Sequence, residues 1–584
     1  LVVGRVLDIA DEPQKNGKTI RWCHVDVGAN GQQLTEGKAQ EIVCGAHNFA
    51  VGDLVVVILP GGILPGNFAI SARKTYGHVS NGMICSAREL GLGDDHDGII
   101  VLSELLGGEV TAGLQPGDDA IALLGLGDET VEVNVTPDRG YCFSMRGLAR
   151  EYWHSQGSPA GGYRDPADIA VPEPNDSGYA VRLEDSGPID GVEGCDRYVA
   201  RVVRGIDPNR PSPAWLQTRL TQAGMRPISL AVDVTNYVML AVGQPLHAFD
   251  LDKLSGSIVV RRARQGERLT TLDDVERRLD PADLLITDGG ETVLAIAGVM
   301  GGASSEIDAQ TTNVLVESAH FDPVTIARSA RRHRLVTEAS KRFERYVDPD
   351  VADKAAQLAV DLLVEFGGGT IDPGVTDAGP GVPARTAYRL DIGEPGRIIG
   401  VEYAPERIVD ILTQLGCAVV DAGNRHLRVT PPSWRPDLVD GPDYAEEIAR
   451  IDGYDKIPSV LPTPAGGRGL THEQKVRRVI ATTLAARGLT EVLTYPFVGE
   501  GLADDLGLDP DDERRQAVRI ANPLSEERPL FRTSVLASLV DALRRNVSRG
   551  HRDLALFEIG LVARPGGPVA TAPDVLDEYD EVVP

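Results

Sequence analysis

The sequence predicts a multidomain α+β protein, and three observations carry that expectation. Its 584 residues exceed what one hydrophobic core organises and suggest about four domains, while 42% hydrophobic residues are ample for several cores. The first hundred or so residues are short β-rich runs between Gly, Asn and Pro turns, whereas the chain beyond about residue 190 mixes strand-like with helix-like stretches. Two Pro/Gly-rich stretches, GSPAGGYRDPADIAVPEPNDSG and PTPAGGRG, read as linkers.

Residues 1–114 carry VVGRVLDI, IRWCHVDVG, EIVCGAHNF and DLVVVILP, whose spacing predicts a small closed β-barrel with Arg73, Lys74, Asn81 and Arg88 near its closing strands. Residues 115–190 form a connecting α/β segment: a strand TVEVNVTPDRG, a helix CFSMRGLAREYWHS, then the first linker. Residues 191–380 predict a mixed α/β domain from YVARVVRGI, PAWLQTRLTQAG, SIVVRRAR and NVLVESA. Residues 385–460 form a small α/β module with helix PERIVDILTQLG, strand HLRVTPPS and helix AEEIARIDGY. Residues 461–584 hold the helix THEQKVRRVIATTLAARG, a strand EVLTYPFV and the segment ANPLSEERPLFRTSVLASLVDALRRNVSRG. No period of 20 to 50 residues repeats, which argues against a solenoid.

A net charge of −28 argues against a surface that binds polyanions all over, so any nucleic-acid contact is local. Three basic islands offer one: Arg261, Arg262 and Arg264; Arg328, Arg331, Arg332 and Arg334; and Arg544, Arg545, Arg549 and Arg552. A solvated helix face or subunit contact explains each island equally well. Six scattered cysteines without a CxxC pair indicate neither a zinc cluster nor a disulfide framework, and fit a reducing cytoplasm. No apolar run spans a bilayer, since even Val51 to Ile70 is broken by Asp53, Pro60, Gly61, Gly62, Pro65 and Asn67, so no membrane partner is expected. The chain opens on Leu1 and ends within an acidic run at Pro584, as a piece of a longer protein would.

Several signatures fail. Gly31 through Gly37-Lys38-Ala39 has the wrong spacing for a phosphate loop, His472-Glu473 meets Val476 where a zinc helix needs its second histidine, and no GxSxG is present. What survives is LAVDVTNYVMLAVGQPLHAFD, a strand-like apolar run that carries Asp233, Thr235 and Asn236 before a Gly-Gln-Pro turn presents His247. LAIAGVMGG adds Gly298, Gly301 and Gly302, where bare backbone amides approach a ligand closely, and NVLVESAHFDP adds Glu317. Singly, His247 is more often a satisfied core histidine and Glu317 a strand-end acid. Together they make a small polar pocket.

SWRPDLVDGPDYAEEIARIDGYDKIP packs Asp437, Asp440, Asp443, Glu446 and Glu447 around a helix entrance at Gly441-Pro442. Asp443, Glu446 and Glu447 lie at i, i+3 and i+4 on one helix face, where like charges repel. Asp443 and Glu446 read as an Asp-x-x-Glu capping box at the end of a helix that favours acids. Capping leaves Glu447 and Asp437 unexplained, and a metal site or a solvated face stays open for them.

Across nearly every module the chain resembles the bacterial phenylalanine tRNA ligase β-subunit family. SNGMICSARELGL resembles its EMAP-type tRNA-binding OB barrel; TNYVMLAVGQPLHAFD, AIAGVMGG and VLVESAHFDP its editing domain; PSWRPDLVDGPDYAEEIARIDGYDKIP its small module; and ANPLSEERPLFRTSVLASLVDALRRN with LALFEIG its class II synthetase-like antiparallel-sheet core, here incomplete. The resemblance implies a subunit that pairs with a catalytic α subunit, two of each, in a cytoplasmic enzyme that attaches phenylalanine to tRNA(Phe) with ATP. It implies an editing pocket in which Thr235, Asn236, His247, Gly298, Gly301, Glu317 and Ala339 meet mischarged Tyr-tRNA(Phe). It also implies a Mg²⁺ shared with α and held by Asp437, Asp443, Glu446 and Glu447, although magnesium takes only one or two direct carboxylates as a rule. Phe531-Arg532-Thr533-Ser534 stands where an active class II enzyme has Phe-Arg-x-Glu, which places adenylation on α. The family's stretch before the barrel and its carboxy-terminal RNA-binding domain have no counterpart here, and VTPDRGYCFS departs from the family's TPNRPD.

Overall fold

The structure, a computed structural model, describes residues 1–14, 17–30, 39–92, 98–106, 111–379, 385–463 and 469–565. The Gly31–Lys38 stretch and the tail beyond residue 565 lie outside them. The chain divides into two compact units, Leu1–Pro458 and Ser459–Pro584.

The first unit opens on a five-stranded antiparallel sheet in the order Ala39–Cys44, Thr19–Asp26, Val2–Pro13, Leu54–Ile58, Met83–Ile84. The twelve-residue first strand pairs on both sides and changes register between Val6 and Asp8, an irregularity of the kind that lets a sheet curl. Its two edges then meet: Asn81 N–H donates to Glu41 C=O at 2.8 Å and Val43 N–H to Ser80 Oγ at 3.0 Å, leaving a nearly closed barrel. Leu54–Ile58 is buried on both faces, because apolar clusters form inside the barrel and between it and the following helices.

The strand expected over TVEVNVTPDRG does not form. Residues 129–135 find no ladder partner among the described residues, and Val131 stands 80% exposed. Alternating apolar residues make a strand only where a second strand satisfies their backbone. The helix after it is Met145–Ser155, capped by Ser144 Oγ accepting from Gly147 N–H at 3.0 Å.

Next come two sheets. An antiparallel one runs Leu246–Asp250, Asn313–Phe321, Cys195–Arg204, Thr370–Ala378; a mixed one runs Val181–Glu184, Ile258–Arg262, Leu284–Asp288, Thr292–Ile296, Met300–Gly301. One face of the antiparallel sheet (Tyr198, Ala200, Leu315, Ala319) joins the second sheet in a common core. The other (Val203, Val314, Val316) packs on the helices Leu230–Val242 and Ala352–Gly367. The two-residue period of a strand thus serves two cores at once. LAVDVTNYVMLAV, read above as strand-like, is one of those helices: Leu230, Val234, Val238 and Val242 repeat every four residues, and Gly243 ends it at φ 89°.

Within residues 385–458 a three-stranded sheet (Tyr388–Asp391, His426–Thr430, Ala418–Gly423) is covered by the helices Pro405–Gln414 and Gly441–Asp452 around Ile408, Ile411, Tyr444 and Ile448.

The second unit holds the helices His472–Ala486 and Val535–Ser548 and two short ladders, Thr490–Glu491 with Leu556–Phe557 and Phe497–Val498 with Leu530–Phe531. The first ladder is parallel, so the antiparallel-sheet core expected here is seen only as these fragments. Arg532 is buried and fully engaged: Nη2 donates to Glu558 at 2.8 Å, Nη1 to Thr494 Oγ1 at 2.7 Å and Nε to the Leu561 carbonyl at 2.9 Å.

Of the basic islands, the first is structural: Arg261 pairs with Glu267, Arg262 with Asp185 and Arg264 with Glu291. All six cysteines are free and buried. Among the described residues no helix is long and apolar enough to cross a membrane.

Candidate functional site

Thr235, Asn236, His247, Gly298, Gly301, Glu317 and Ala339 line one cavity of about 250 Å³. That is below the roughly 300–1,000 Å³ of drug-sized pockets and suits a single aromatic side chain. Strand pairing fixes its floor, since His247 sits in register with Glu317 across neighbouring strands and both side chains therefore leave the same face. Thr235 and Asn236 enter from the helix Leu230–Val242; Thr235 Oγ1 is already spent on the Val232 carbonyl at 2.8 Å. Ala339 stands on the short helix Glu338–Phe343, which is capped by Thr337, itself tied to the Val299 carbonyl at 3.0 Å.

The two glycines have different reasons. Gly298 adopts φ 65°, and a Cβ there meets Ile326, Phe321 and Phe343 at 2.9–3.0 Å; its amide takes no acceptor among the described residues. A Cβ on Gly301 meets the His247 ring at 2.7 Å. Gly301 keeps His247 open, and Gly298 lets the turn lie against the core.

Glu317 is buried, and burial pushes its carboxyl up to about 8, although the Tyr198 hydroxyl, donating to Oε2 at 3.0 Å, opposes the rise. At neutral pH it is largely the neutral acid. Burial pushes His247 down to about 4, so its ring is uncharged, and its enclosed Nε2 has no hydrogen-bond partner. A buried nitrogen without a partner, on the strand that pairs with a desolvated carboxyl, is costly to keep. Sequence reasoning missed Tyr198: a tyrosine in an apolar strand carries no signal until the register aims it at Glu317.

The acidic helix entrance is arranged otherwise than expected. Asp440 is the cap residue, and Asp443 reaches back to accept from the amides of Asp440 at 3.0 Å and Val439 at 2.9 Å, so the capping pair is Asp440 and Asp443 rather than Asp443 and Glu446. Glu447 is 0% exposed inside three guanidiniums: Arg139 at 2.5 Å, Arg435 at 2.8 Å and Arg450 at 2.9 Å. Burial alone raises its affinity for a proton, and Arg435 with Arg450 overrides that and holds it far below the carboxylate range. Asp437 is taken by Arg435 at 2.6 Å, and Glu446 turns outward to Tyr454 and Arg139. Three of the four acids are already paired with arginines and the fourth, Asp443, is spent on backbone amides, so they do not fit a Mg²⁺ site, and no cluster of three or more metal-ligating side chains occurs among the described residues. The hub joins distant segments instead: Arg450 also holds Glu151 at 2.7 Å, and Arg150 lies over the Trp434 ring at 3.8 Å.

Known proteins match the whole length. Residues 1–107 match the family described as putative tRNA binding domain, 194–368 the B3/4 domain, 388–454 the tRNA synthetase B5 domain and 457–575 the phenylalanyl tRNA synthetase beta chain CLM domain. The chain is 53% identical over 570 residues to the phenylalanine–tRNA ligase beta subunit of Streptomyces avermitilis, covering 97% of this chain and 65% of that one. It is 46% identical over 593 residues to that of Cutibacterium acnes, covering 100% and 68%. It thus spans about two thirds of the length of these curated relatives. A solved amino-terminal fragment of the Pyrococcus horikoshii phenylalanyl-tRNA synthetase beta subunit is similar at 16% identity, covering 56% of this chain and 90% of that one, with a TM-score of 0.29 that carries no structural argument.

Two outcomes follow from these electrostatics. Glu447→Gln leaves the buried Arg435 and the part-buried Arg139 and Arg450 short of one shared countercharge, a loss of roughly 3–5 kcal/mol; the melting temperature of the first unit falls by the same amount in EDTA and in magnesium, whereas a metal site makes wild type itself sensitive to EDTA. For Glu317, the unfolded carboxyl ionises near 4.5 and the folded one near 8, so wild type loses stability as pH rises between those values. Glu317→Gln escapes that loss, and its melting advantage over wild type grows from nothing at pH 4.5 to a few kcal/mol at pH 8.

Proposed function

The chain belongs to the phenylalanine–tRNA ligase β-subunit family, and from that premise we propose that it supports charging of tRNA(Phe) by a catalytic α subunit, in a complex of two α and two β chains, and hydrolyses Tyr-tRNA(Phe) in the cavity around Glu317. The observation that carries the deacylase reading is a desolvated carboxyl and an unpartnered imidazole nitrogen facing one aromatic-sized cavity.

The chemical need is plain. A pocket that accepts phenylalanine rejects tyrosine only weakly, by roughly a hundredfold for such near-isosteres, so a second site must read the hydroxyl. Glu317 is the group for it: as neutral acid it donates to the phenol oxygen, and as carboxylate it accepts the phenol proton. Ala339 leaves room for the ring. The free Gly298 amide, with Gly301, faces the aminoacyl group, and Thr235 and Asn236 border it. His247, uncharged at neutral pH, serves as hydrogen-bond partner of the terminal ribose or of the attacking water. The water oxygen bonds to the ester carbonyl carbon, the bond to the ribose oxygen breaks, and the proton leaves on that oxygen.

Adenylation, its ATP and its magnesium belong to α. Arg532, the arginine of the Phe-Arg motif, is locked to Glu558 and so withdrawn from any nucleotide. The amino-terminal barrel supplies tRNA contact, in line with its family description.

Pyrophosphate exchange with phenylalanine and ATP stays at background for this chain alone and appears on adding α; exchange by the chain alone overturns the division of labour. Glu317→Ala spares phenylalanine charging but slows single-turnover clearance of Tyr-tRNA(Phe) by roughly fivefold to hundredfold, from about 1–3 kcal/mol of unpaired hydroxyl. Phe-tRNA(Phe) hydrolysis changes less. His247→Ala slows both esters alike, and equal losses for both in the Glu317 variant would falsify its recognition role.

A further inference from the structure

We propose that Tyr198 is a positioning residue of this pocket: its buried hydroxyl pins one oxygen of Glu317 so that the other faces the substrate ring, and this sets the preference for a hydroxyl-bearing side chain. The inference rests on the deacylase reading above.

Three observations carry it. The strand Cys195–Arg204 pairs Ala200 with Glu317 and Tyr198 with Ala319, so Tyr198 shares the face of Glu317 one diagonal step away, and the small Ala200 and Ala319 leave a lane for its ring. Tyr198 is 0% exposed, and its hydroxyl meets Glu317 Oε2 at 3.0 Å. No other side chain hydrogen-bonds that carboxyl among the described residues, although His247 faces it in register from the opposite strand. The terminal torsion of a glutamate is broad, so one directional bond decides where its second oxygen points. Further ionisable neighbours are Cys195, whose thiol burial pushes well above its usual value, Tyr179, which acts on Tyr198 and donates its hydroxyl to the Gly256 carbonyl at 2.6 Å, and Glu338, which lines the cavity and is tied to Lys341 and Arg342. None of the three is hydrogen-bonded to Glu317.

Tyr198→Phe removes one oxygen and keeps the ring that fills the core. In the chain assembled with α, the variant clears Tyr-tRNA(Phe) roughly two- to tenfold more slowly, the size of one buried hydrogen bond, and hydrolyses Phe-tRNA(Phe) at the wild-type rate. The Tyr/Phe clearance ratio inflects with pH where the carboxyl ionises, and that inflection moves to higher pH, because the hydroxyl is what eases ionisation. With Glu317→Ala in place, Tyr198→Phe changes the ratio no further. Tyr198→3-fluorotyrosine, a near-isosteric stronger donor, keeps the fold even where the phenylalanine variant does not, and moves the inflection to lower pH. Equal slowing of both esters, or an inflection that stays in place in both variants, overturns the positioning role while the deacylase reading stands. A wild-type complex that clears neither ester overturns both.

Discussion

The pairing of the strand Asn313–Phe321 with its two neighbours is the constraint on which the candidate site depends. Nine residues are held in antiparallel register by Leu246–Asp250 on one side and Cys195–Arg204 on the other. A slip of one residue would turn Glu317 into the helix-packed core and bring Val316 to the cavity. Because both faces are buried, that slip is opposed along the whole strand, and the cost of desolvating Glu317 is met by the apolar burial of Leu315, Ala319 and Phe321 beside it.

The same economy of neighbours explains the electrostatics. Glu317 has one neutral hydroxyl as partner and is driven toward its protonated form; Glu447, also buried, has three guanidiniums and is driven toward its ionised form. Burial alone favours the protonated form in both. What differs is whether the fold delivers a countercharge, and this separates a group poised for a ligand from one that fastens segments together. Arg139, Glu151, Arg435 and Arg450 come from parts of the chain about 300 residues apart, so the hub ties the connecting segment to the small module.

Much was legible in the sequence. Gly-punctuated β runs indicated the barrel, the helix PERIVDILTQLG, the strand HLRVTPPS and the helix AEEIARIDGY marked the small module, and TNYVMLAVGQPLHAFD with AIAGVMGG and VLVESAHFDP named residues that do meet in one cavity. Two errors have one cause. LAVDVTNYVMLAV was read as strand from its apolar run and TVEVNVTPDRG as strand from its alternation, yet the first is a helix seated on a sheet and the second finds no strand to pair with. Short apolar runs are ambiguous between the two states, and the arbiter is the partner surface, which is not local.

By itself the sequence determined which chemical groups exist and which local turns are allowed: Gly243 and Gly298 at positive φ, Thr337 and Asp443 at helix entrances, an arginine without its catalytic glutamate at residues 532–534. Tertiary structure alone decided what those groups become. Register aims Tyr198 at Glu317, and folding closes Arg139, Arg435 and Arg450 around Glu447, so an apparent cluster of ligands becomes a set of ion pairs. The physical reason is that a carboxyl's proton affinity and hydrogen-bond partners depend on what lies within a few ångströms in space, and those neighbours come from anywhere in the chain.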